Sequence, residues 1–97
     1  MNNNQKYNIR KTGIFKKDYK LAIKRGYDIK LLDDVIETLA LTGVLPTKYD
    51  DHKLIGNWKG YRECHITNDW LLIYKIEKEN VILTLTRTGT HSDLLDK

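Results

Sequence analysis

The sequence predicts an α+β domain in which a helical hairpin packs on one face of a mainly antiparallel sheet. Helical periodicity is confined to the first half of the chain, and alternating aromatic and β-branched residues fill the second half. The resulting order is β-α-α-β-β-β, and the hairpin must cover one sheet face to create a core. The other face is then free to carry function. At 97 residues we expect one domain over residues 1–97, with residues 1–5 forming a frayed polar tail.

The first half of the chain predicts a short strand followed by a helix. Residues 7–10 form the possible strand, and Thr12 is placed to cap a helix that runs to about Arg25 and ends at Gly26. Its apolar residues share one face, and its lysines recur every fourth residue on another face. The apolar residues are Phe15, Tyr19 and Ala22, and the lysines are Lys16, Lys20 and Lys24.

A second helix is predicted from its N-cap Asp28 to its stop signal Gly43. The inward apolar residues of this helix are Leu32, Val35, Ile36 and Leu39. The short gap between Gly26 and Asp28 predicts a tight helical hairpin. Residues 45–60 contain the only proline and predict an irregular connection.

Three strands are predicted in the second half, at residues 61–67, 70–76 and 81–88, and polar turns join them. Thr90 and Asp93 then have the spacing of a capping box, which predicts a short turn of helix.

Strand alternation assigns the candidate residues to the two faces of the sheet. His65 shares a face with Tyr61 and Glu63, and we expect this face to be the open one. Strict alternation places Arg87 in the apolar row of its strand. A bend before Gly89 would re-aim its side chain, and the sequence leaves both arrangements open.

Positive charge is concentrated near the N-terminus. Residues 6–25 hold eight basic residues against one acid, a net charge of +7, within a chain whose total is +4. A concentrated basic face is typical of a nucleic-acid binder, although a solvated helix face has the same composition. Lys16, Lys20 and Lys24 are therefore candidate RNA-binding residues.

Several classes of protein are excluded by composition and motif. No apolar run approaches the roughly 20 residues that span a bilayer, and the first five residues lack the apolar segment of a secretory signal. A single cysteine, Cys64, cannot form an internal disulfide, so we expect a cytoplasmic protein. P-loop, GxSxG and Rossmann motifs are absent. No ligand spacing suits zinc, so neither a metal nor another cofactor is expected.

The three histidines, His52, His65 and His91, all fall in the second half, at or beside predicted strands and turns. Imidazole exchanges a proton near neutral pH, so two or three histidines with an arginine form a metal-free acid–base site for cutting RNA. Singly, each histidine is more often an ordinary surface residue. Trp70 is likewise more often a core or lid residue than a stacking platform.

The ordered set of these residues resembles the YafQ branch of the RelE-type bacterial toxins. The resemblance covers nearly the whole chain, from the first helix to the last histidine, and five segments of the second half carry it. They are Asp51-His52 with Leu54 and Gly56, Trp58-Lys59-Gly60-Tyr61-Arg62, His65, Asp69-Trp70 with Ile73-Tyr74, and Arg87-Thr88-Gly89-Thr90-His91. The resemblance implies a RelE-like fold with the element order inferred above.

The resemblance also implies a function and a site. It implies the toxin of a type II toxin–antitoxin system, an endoribonuclease that cuts mRNA in the ribosomal A site. It implies a cognate antitoxin, for which we expect an acidic, partly disordered segment, and contact with DNA only through that antitoxin. The catalytic residues implied are His52, His65, Asp69, Arg87 and His91, with Trp70 close by. Trp70 and Leu95 are candidate RNA-binding residues, although relatives often carry an aromatic residue in place of Leu95, which cannot stack on a base as a ring does.

The chemistry of RNA gives these residues roles. A base removes the 2′-OH proton, the oxygen attacks the adjacent phosphorus, and an acid protonates the departing 5′-oxygen. We assign His91 as the acid and either His52 or His65 as the base, with Asp69 orienting a group and Arg87 stabilising the phosphate charge. The alternative is a catalytically decayed module that only binds RNA or antitoxin and acts in co-repression.

Overall fold

The computed structural model of the protein describes residues 5–94, and it confirms the predicted α+β architecture. The elements are β1 (Asn8–Lys11), α1 (Gly13–Lys24), α2 (Ile29–Thr42), β2 (His52–Lys53), β3 (Arg62–Thr67), β4 (Trp70–Glu77), β5 (Ile82–Gly89) and α3 (His91–Leu94). One strand, β2, was not predicted and lies in the segment expected to be irregular. None of the helices within residues 5–94 is long and apolar enough to cross a membrane.

The sheet has the strand order β1-β5-β4-β3-β2. Only β1 and β5 pair in parallel, and the other three pairs are antiparallel, as the prediction of a mainly antiparallel sheet required. The parallel pair arises because α1 and α2 separate β1 from the strands that follow. The tight turns between β3, β4 and β5 permit only antiparallel neighbours.

The predicted helix ends are confirmed by their hydrogen bonds. The Thr12 hydroxyl accepts the backbone N–H of Phe15 at 2.9 Å at the start of α1. Asp28 accepts the N–H of Lys30 at 3.2 Å at the start of α2. Gly43 ends α2 with a φ of 76°, and a Cβ at this position would lie 2.7 Å from the ring of Tyr7. Glycine is therefore required there for both conformation and space.

The main core lies between the helical hairpin and one face of the sheet. Fully buried side chains of α1, α2 and three strands meet there: Phe15, Leu32, Leu39, Cys64, Leu72, Tyr74, Leu83 and Leu85. The apolar faces predicted for the two helices point into this cluster. Burial of this kind is the main stabilising contribution in a small domain.

The second face of the sheet is less open than the sequence predicted. Leu71 and Ile73 of β4 are fully buried on this face, beneath Leu94 of α3 and the side chains of Leu54 and Trp58. The expectation of a free face was wrong in this respect, because the irregular connection and α3 fold back over it. The functional side chains surround this small apolar cluster.

A β-bulge in β5 settles the position of Arg87. The ladder with β4 pairs Tyr74 with Leu85 but Ile73 with Arg87, which leaves Thr86 as an extra residue. The bulge moves Arg87 out of the buried row of Leu85 and onto the face of Ile73. The hydroxyl of Thr12 donates to the Thr86 carbonyl at 2.8 Å, so the start of α1 holds the bulge.

Two ion pairs fasten α1 to the end of β5 and to α3. Asp18 accepts two hydrogen bonds from the Arg87 guanidinium, both at 3.0 Å, and a third from the Thr88 N–H at 3.1 Å. Arg25 lies 2.7 Å from Asp93 of α3. The capping box predicted for α3 is present, because Thr90 and Asp93 exchange side chain-to-backbone hydrogen bonds at 3.0 and 3.1 Å.

A polar anchor connects the core to the residue before His52. The hydroxyl of the buried Tyr74 donates to Asp51 at 2.5 Å, and Arg62 donates to the same carboxylate from Nε and Nη2. Burial and the neighbouring carboxylate raise the pKa of Tyr74, so it remains a donor. This anchor fixes the edge strand β2 against the sheet.

We predict that Tyr74→Phe lowers the free energy of unfolding by about 1–2 kcal/mol, because the partly buried carboxylate of Asp51 loses a donor. Urea denaturation followed by circular dichroism measures the change. Tyr19→Phe is the matched control, since its hydroxyl donates to Asp33 at 2.7 Å in an exposed position. The free energy of unfolding should fall less than half as much in the control. Equal decreases would show that the hydrogen bond to Asp51 stabilises the fold no more than an exposed one does.

We predict a pH-dependent contribution from Asp93, whose pKa is lowered to about 2, chiefly by Arg25 and then by the Thr90 N–H. A carboxyl with a depressed folded-state pKa stabilises the fold above its ordinary value and loses that effect as the pH falls. Asp93→Asn keeps the cap and should cost about 1 kcal/mol at pH 6, after allowance for solvent screening. The difference from wild type should fade between pH 4 and 2. A difference that stays constant with pH would contradict this assignment.

Candidate active site

The register of the sheet brings the predicted site residues onto one face. One row across the strands contains His52, Glu63, Ile73 and Arg87, and the next row contains His65, Leu71 and Gly89. These residues share the face opposite the helices, because directly paired residues project to the same side. His91 follows the second row at the start of α3. The histidines therefore converge although 39 positions separate the first from the last.

The three imidazole rings form a row. The centroids of His52 and His65 are 6.2 Å apart, and those of His65 and His91 are 5.8 Å apart. His65 is the middle ring and the least exposed, at 26% for its side chain against 44% and 51% for the outer two. A phosphate placed between two such rings would contact an imidazole nitrogen on each side.

Asp69 holds His91. Its carboxylate accepts the His91 backbone N–H at 3.0 Å and lies 2.6 Å from the ring nitrogen Nδ1. These two hydrogen bonds, the backbone one first, lower the pKa of Asp69. An ionised Asp69 only accepts hydrogen bonds, so Nδ1 of His91 carries the hydrogen and donates it, and Nε2 is the free nitrogen of the ring. His91 thus has a fixed orientation and one nitrogen directed away from its partner.

His52 is held at both ring nitrogens. Nδ1 lies 2.8 Å from the Asp50 carbonyl, which can only accept, so this nitrogen carries a proton. Nε2 lies 3.2 Å from Oε1 of Glu63, whose side chain is 5% exposed. A further proton must lie between Nε2 and that carboxyl group for the contact to be favourable. His52 therefore has no free lone pair in this arrangement.

His65 differs from both neighbours in its single, longer contact. Its Nδ1 lies 3.4 Å from the carboxylate of Asp50, which is well exposed. Asp50 has a left-handed backbone, with a φ of 49°, and this conformation turns its carbonyl toward His52 and its side chain toward His65. One residue in an uncommon conformation thus serves two histidines.

Arg87 lies on the site face but is already paired. Its Nε and Nη2 bind Asp18, and this pairing is the main reason that the pKa of Arg87 is raised. The remaining nitrogen, Nη1, makes no hydrogen bond to residues 5–94. Arg87 is two strands away from β3, a separation of roughly 10 Å. It is therefore close to Gly89 and the base of α3 rather than to His52.

The predicted RNA-contacting residues differ in their exposure to solvent. Trp70 is 4% exposed, and its Nε1 donates to the Thr88 hydroxyl at 2.9 Å, so most of its ring is unavailable for stacking on a base. Lys16, Lys20 and Lys24 are exposed along the outer surface of α1. Leu95 lies outside the described residues.

Some residues of the site were missed by sequence reasoning. Glu63 contacts His52, and its Oε2 is buried with no hydrogen-bond partner among the described residues. Its position two residues before His65 on the same strand face was an available signal. Asp18 is the single acid in the basic segment, which was also a signal. Asp50 could not have been found, because its role depends on a backbone conformation.

The described part of the chain lacks a cluster of side chains that could bind a metal ion. Residues 5–94 contain no group of three His, Cys, Asp or Glu side chains arranged to hold one. Cys64 is buried on the opposite face from His65, and burial raises the pKa of its thiol. Thiolate ligation by this cysteine is therefore disfavoured.

Comparisons with known proteins place the chain in a family. The profile of a family described as "Bacterial toxin of type II toxin-antitoxin system, YafQ" matches residues 7–96. The chain is 44% identical over 88 residues to the mRNA interferase toxin YafQ of Escherichia coli strain K12, which covers 89% of this chain and 92% of that protein.

Two solved structures resemble the whole fold. The crystal structure of the E. coli DinJ-YafQ toxin–antitoxin complex contains a chain with 43% identity and a TM-score of 0.81, covering 92% of this chain and 97% of that one. A metal-bound toxin from Helicobacter pylori has 44% identity and a TM-score of 0.84, covering 91% and 98%. The family match spans nearly all of the sequence. This chain is therefore a member of the YafQ family of bacterial type II toxins.

Proposed function

We propose that this toxin is an mRNA endoribonuclease that cuts messages in the ribosomal A site by acid–base attack of the 2′-OH on the adjacent phosphodiester. The name of the E. coli relative, an mRNA interferase toxin, supports the substrate. The observation that carries the mechanism is the pair of imidazoles of His65 and His91, 5.8 Å apart, with an oriented nitrogen on His91. A ribosomal target also favours the cytoplasm as its location.

The geometry favours His65 over His52 as the general base. Both nitrogens of His52 face acceptors and leave no lone pair for a proton. His65 has one loose contact through Nδ1, so Nε2 remains to receive the 2′-OH proton. His52, held by Glu63 and the Asp50 carbonyl, is then proposed to orient the substrate. This assignment narrows the choice between the two histidines that the sequence left open.

His91 is proposed as the general acid. Asp69 stabilises the imidazolium form through Nδ1, and the proton at Nε2 is then transferred to the departing 5′-oxygen. The products are a 2′,3′-cyclic phosphate and a 5′-hydroxyl. The 2′-oxygen forms a bond to phosphorus as the bond to the 5′-oxygen breaks, and one proton enters at His65 while one leaves from His91.

Arg87 is proposed to stabilise charge on the non-bridging oxygens. Asp18 fixes the guanidinium plane through Nε and Nη2 and leaves Nη1 to donate. A fixed donor costs no reorganisation when charge develops, which is the source of its catalytic effect. Neutralisation by Asp18 also means that Arg87 contributes local hydrogen bonding more than long-range attraction.

The proposed mechanism assigns no step to a metal. The toxin from H. pylori has been crystallised with a metal, so the question applies to this chain as well. The donor set is unfavourable here, since His52 and His91 use a ring nitrogen on a protein acceptor and no third ligand is suitably placed in residues 5–94. We expect cleavage in buffers that remove weakly bound catalytic divalent ions yet keep ribosomes intact.

The basic surface of α1 is proposed to bind macromolecules. Arg25, at the end of α1, is paired with Asp93, and Asp18 of α1 is paired with Arg87 of β5. The exposed lysines of α1 therefore carry its uncompensated positive charge. We propose that this surface docks on ribosomal RNA.

We further propose that a cognate antitoxin with an acidic, partly disordered segment binds the same lysine surface, since positive charge steers an acidic partner. The E. coli YafQ is itself seen in a complex with DinJ. Contact with DNA is proposed only through the antitoxin.

The function as a whole is tested by inducible expression in bacteria, with growth and message cleavage as readouts. We expect growth arrest with cuts in translated messages, and relief on co-expression of the adjacent small reading frame. Arrest without cleavage would favour a binding module over an enzyme.

We predict that His91→Ala folds normally but lowers single-turnover cleavage on programmed ribosomes by about 100-fold or more, because proton transfer to the leaving oxygen is lost. His91→Gln should not restore the rate, since an amide donates a hydrogen bond but no proton. A 5′-bridging phosphorothiolate substrate, whose leaving group needs no proton, should recover most of the loss.

The matched control for that substrate is His65→Ala. It should be as slow as His91→Ala on ordinary RNA but should not be rescued by the phosphorothiolate, since the missing group is the base. Rescue of both variants, or of neither, would contradict the assignment of roles.

We predict that reversing the charge of Lys16, Lys20 and Lys24 to glutamate weakens ribosome binding and reduces its salt dependence, because fewer counterions are released. The cleavage rate of the bound complex should change less than threefold. The control reverses three exposed lysines outside α1, namely Lys53, Lys59 and Lys78, at the same cost in net charge. An equal effect of the two triple variants would show that net charge, not the α1 surface, governs docking.

A further inference from the structure

A pocket of about 350 Å³ adjoins the proposed acid His91 and is not used by the mechanism above. It lies between the α1–α2 turn, the start of α2 and the β3–β4 turn. The residues that line it are Tyr27, Asp28, Leu31, Thr67, Asp69, Trp70 and Thr90. Asp69 is shared, because it also holds the ring of His91.

The lining combines apolar walls with an acidic rim. Tyr27 packs on Trp70 with ring centroids 5.0 Å apart, and Leu31 is 41% exposed beside them. Tyr27 and Leu31 offer an apolar surface that a flat aromatic group can contact, and the mostly buried Trp70 supports Tyr27. The carboxylates of Asp28 and Asp69 stand at the rim, so a phosphate group would be repelled. A nucleobase satisfies both conditions, because it is planar, uncharged and edged with hydrogen-bonding groups.

Asp28 supplies the group that would read the edge of a base. One of its oxygens caps α2 by accepting the Lys30 N–H at 3.2 Å. Its other oxygen makes no hydrogen bond to residues 5–94. A carboxylate oxygen only accepts, so it selects a base that presents an N–H donor. The exocyclic amino group of adenine, cytosine or guanine is such a donor.

We infer that this pocket binds the nucleobase on the 3′ side of the cut, and that Asp28 accepts a hydrogen bond from its exocyclic amino group. The pocket is assigned to the 3′ side of the cut because it is next to His91, which protonates the 5′-oxygen of the departing nucleotide. Asp69 contacts His91 and also lines the pocket. The inference rests on the proposed function. It makes Tyr27, Asp28 and Leu31 residues that determine sequence preference, whereas the histidines determine rate.

The test uses ribosomes programmed with three messages that differ only in the nucleotide 3′ of the cut: adenosine, purine riboside without the amino group, or an abasic residue. Wild type should cut the adenosine message about ten times faster than the purine riboside message, because a charge-assisted hydrogen bond is lost. Asp28→Asn retains the helix cap, since asparagine is also a good N-cap. It should lower this ratio to near one.

The matched control is Asp34→Asn, which removes an equal charge from the exposed side of α2, where Asp34 pairs with Lys30. It should keep the full ratio. Leu31→Trp fills the pocket from an exposed position and should raise KM and reduce the preference for adenosine over the abasic message.

Three outcomes overturn the inference. If wild type cuts all three messages equally, the pocket does not read this base, although the nuclease function stands. If Asp28→Asn keeps the tenfold ratio, or Asp34→Asn loses it, Asp28 is not the reader. If wild type cuts no message on the ribosome, the proposed function fails and the pocket assignment fails with it.

Discussion

A single extra residue in β5 determines how the end of that strand meets the rest of the molecule. Without the bulge at Thr86, Arg87 would point into the core between sheet and helices, where a guanidinium has no acceptable environment. With it, the buried row ends at Leu85 and Arg87 projects onto the opposite face. Thr12 bonds the bulged carbonyl and caps α1 at the same time. The start of the hairpin and the end of the site strand are therefore one connected structure.

Carboxylates supplied by different elements hold the arginine and two of the histidines of the candidate site. Asp18 of α1 fixes Arg87, Asp69 of the β3–β4 turn fixes His91, and Glu63 of β3 faces His52. Each pair orients one group before substrate arrives, which is how a small domain provides a preorganised site. The cost is visible at Glu63, where one buried oxygen has no partner among the described residues. A buried polar atom without a partner is rare in folded proteins, and each one needs an explanation.

The surface proposed for docking and the residues proposed for chemistry lie in different parts of the molecule. The exposed lysines of α1 carry long-range charge, whereas Arg25 and Arg87 are each neutralised by a local acid. The acidic residues around His91 would repel an RNA backbone if nothing attracted it, so the lysine surface and the histidine row depend on each other. The pocket beside Asp69 fits this division, since it offers apolar contact and a hydrogen-bond acceptor where net positive charge is lacking.

Sequence by itself determined the helices and every strand of the described residues except β2, because periodicity, caps and turn residues act over a few neighbouring positions. Thr12, Asp28 and Gly43 end their helices as predicted, and the Thr90–Asp93 box starts α3. The resemblance to a toxin family also selected the histidines that the fold brings together. Tertiary structure decided what depends on register and on distant contacts: the bulge that turns Arg87, the pairing of Glu63 with His52, and the left-handed Asp50 between two imidazoles. These features depend on strand register and backbone conformation, which periodicity and caps do not specify.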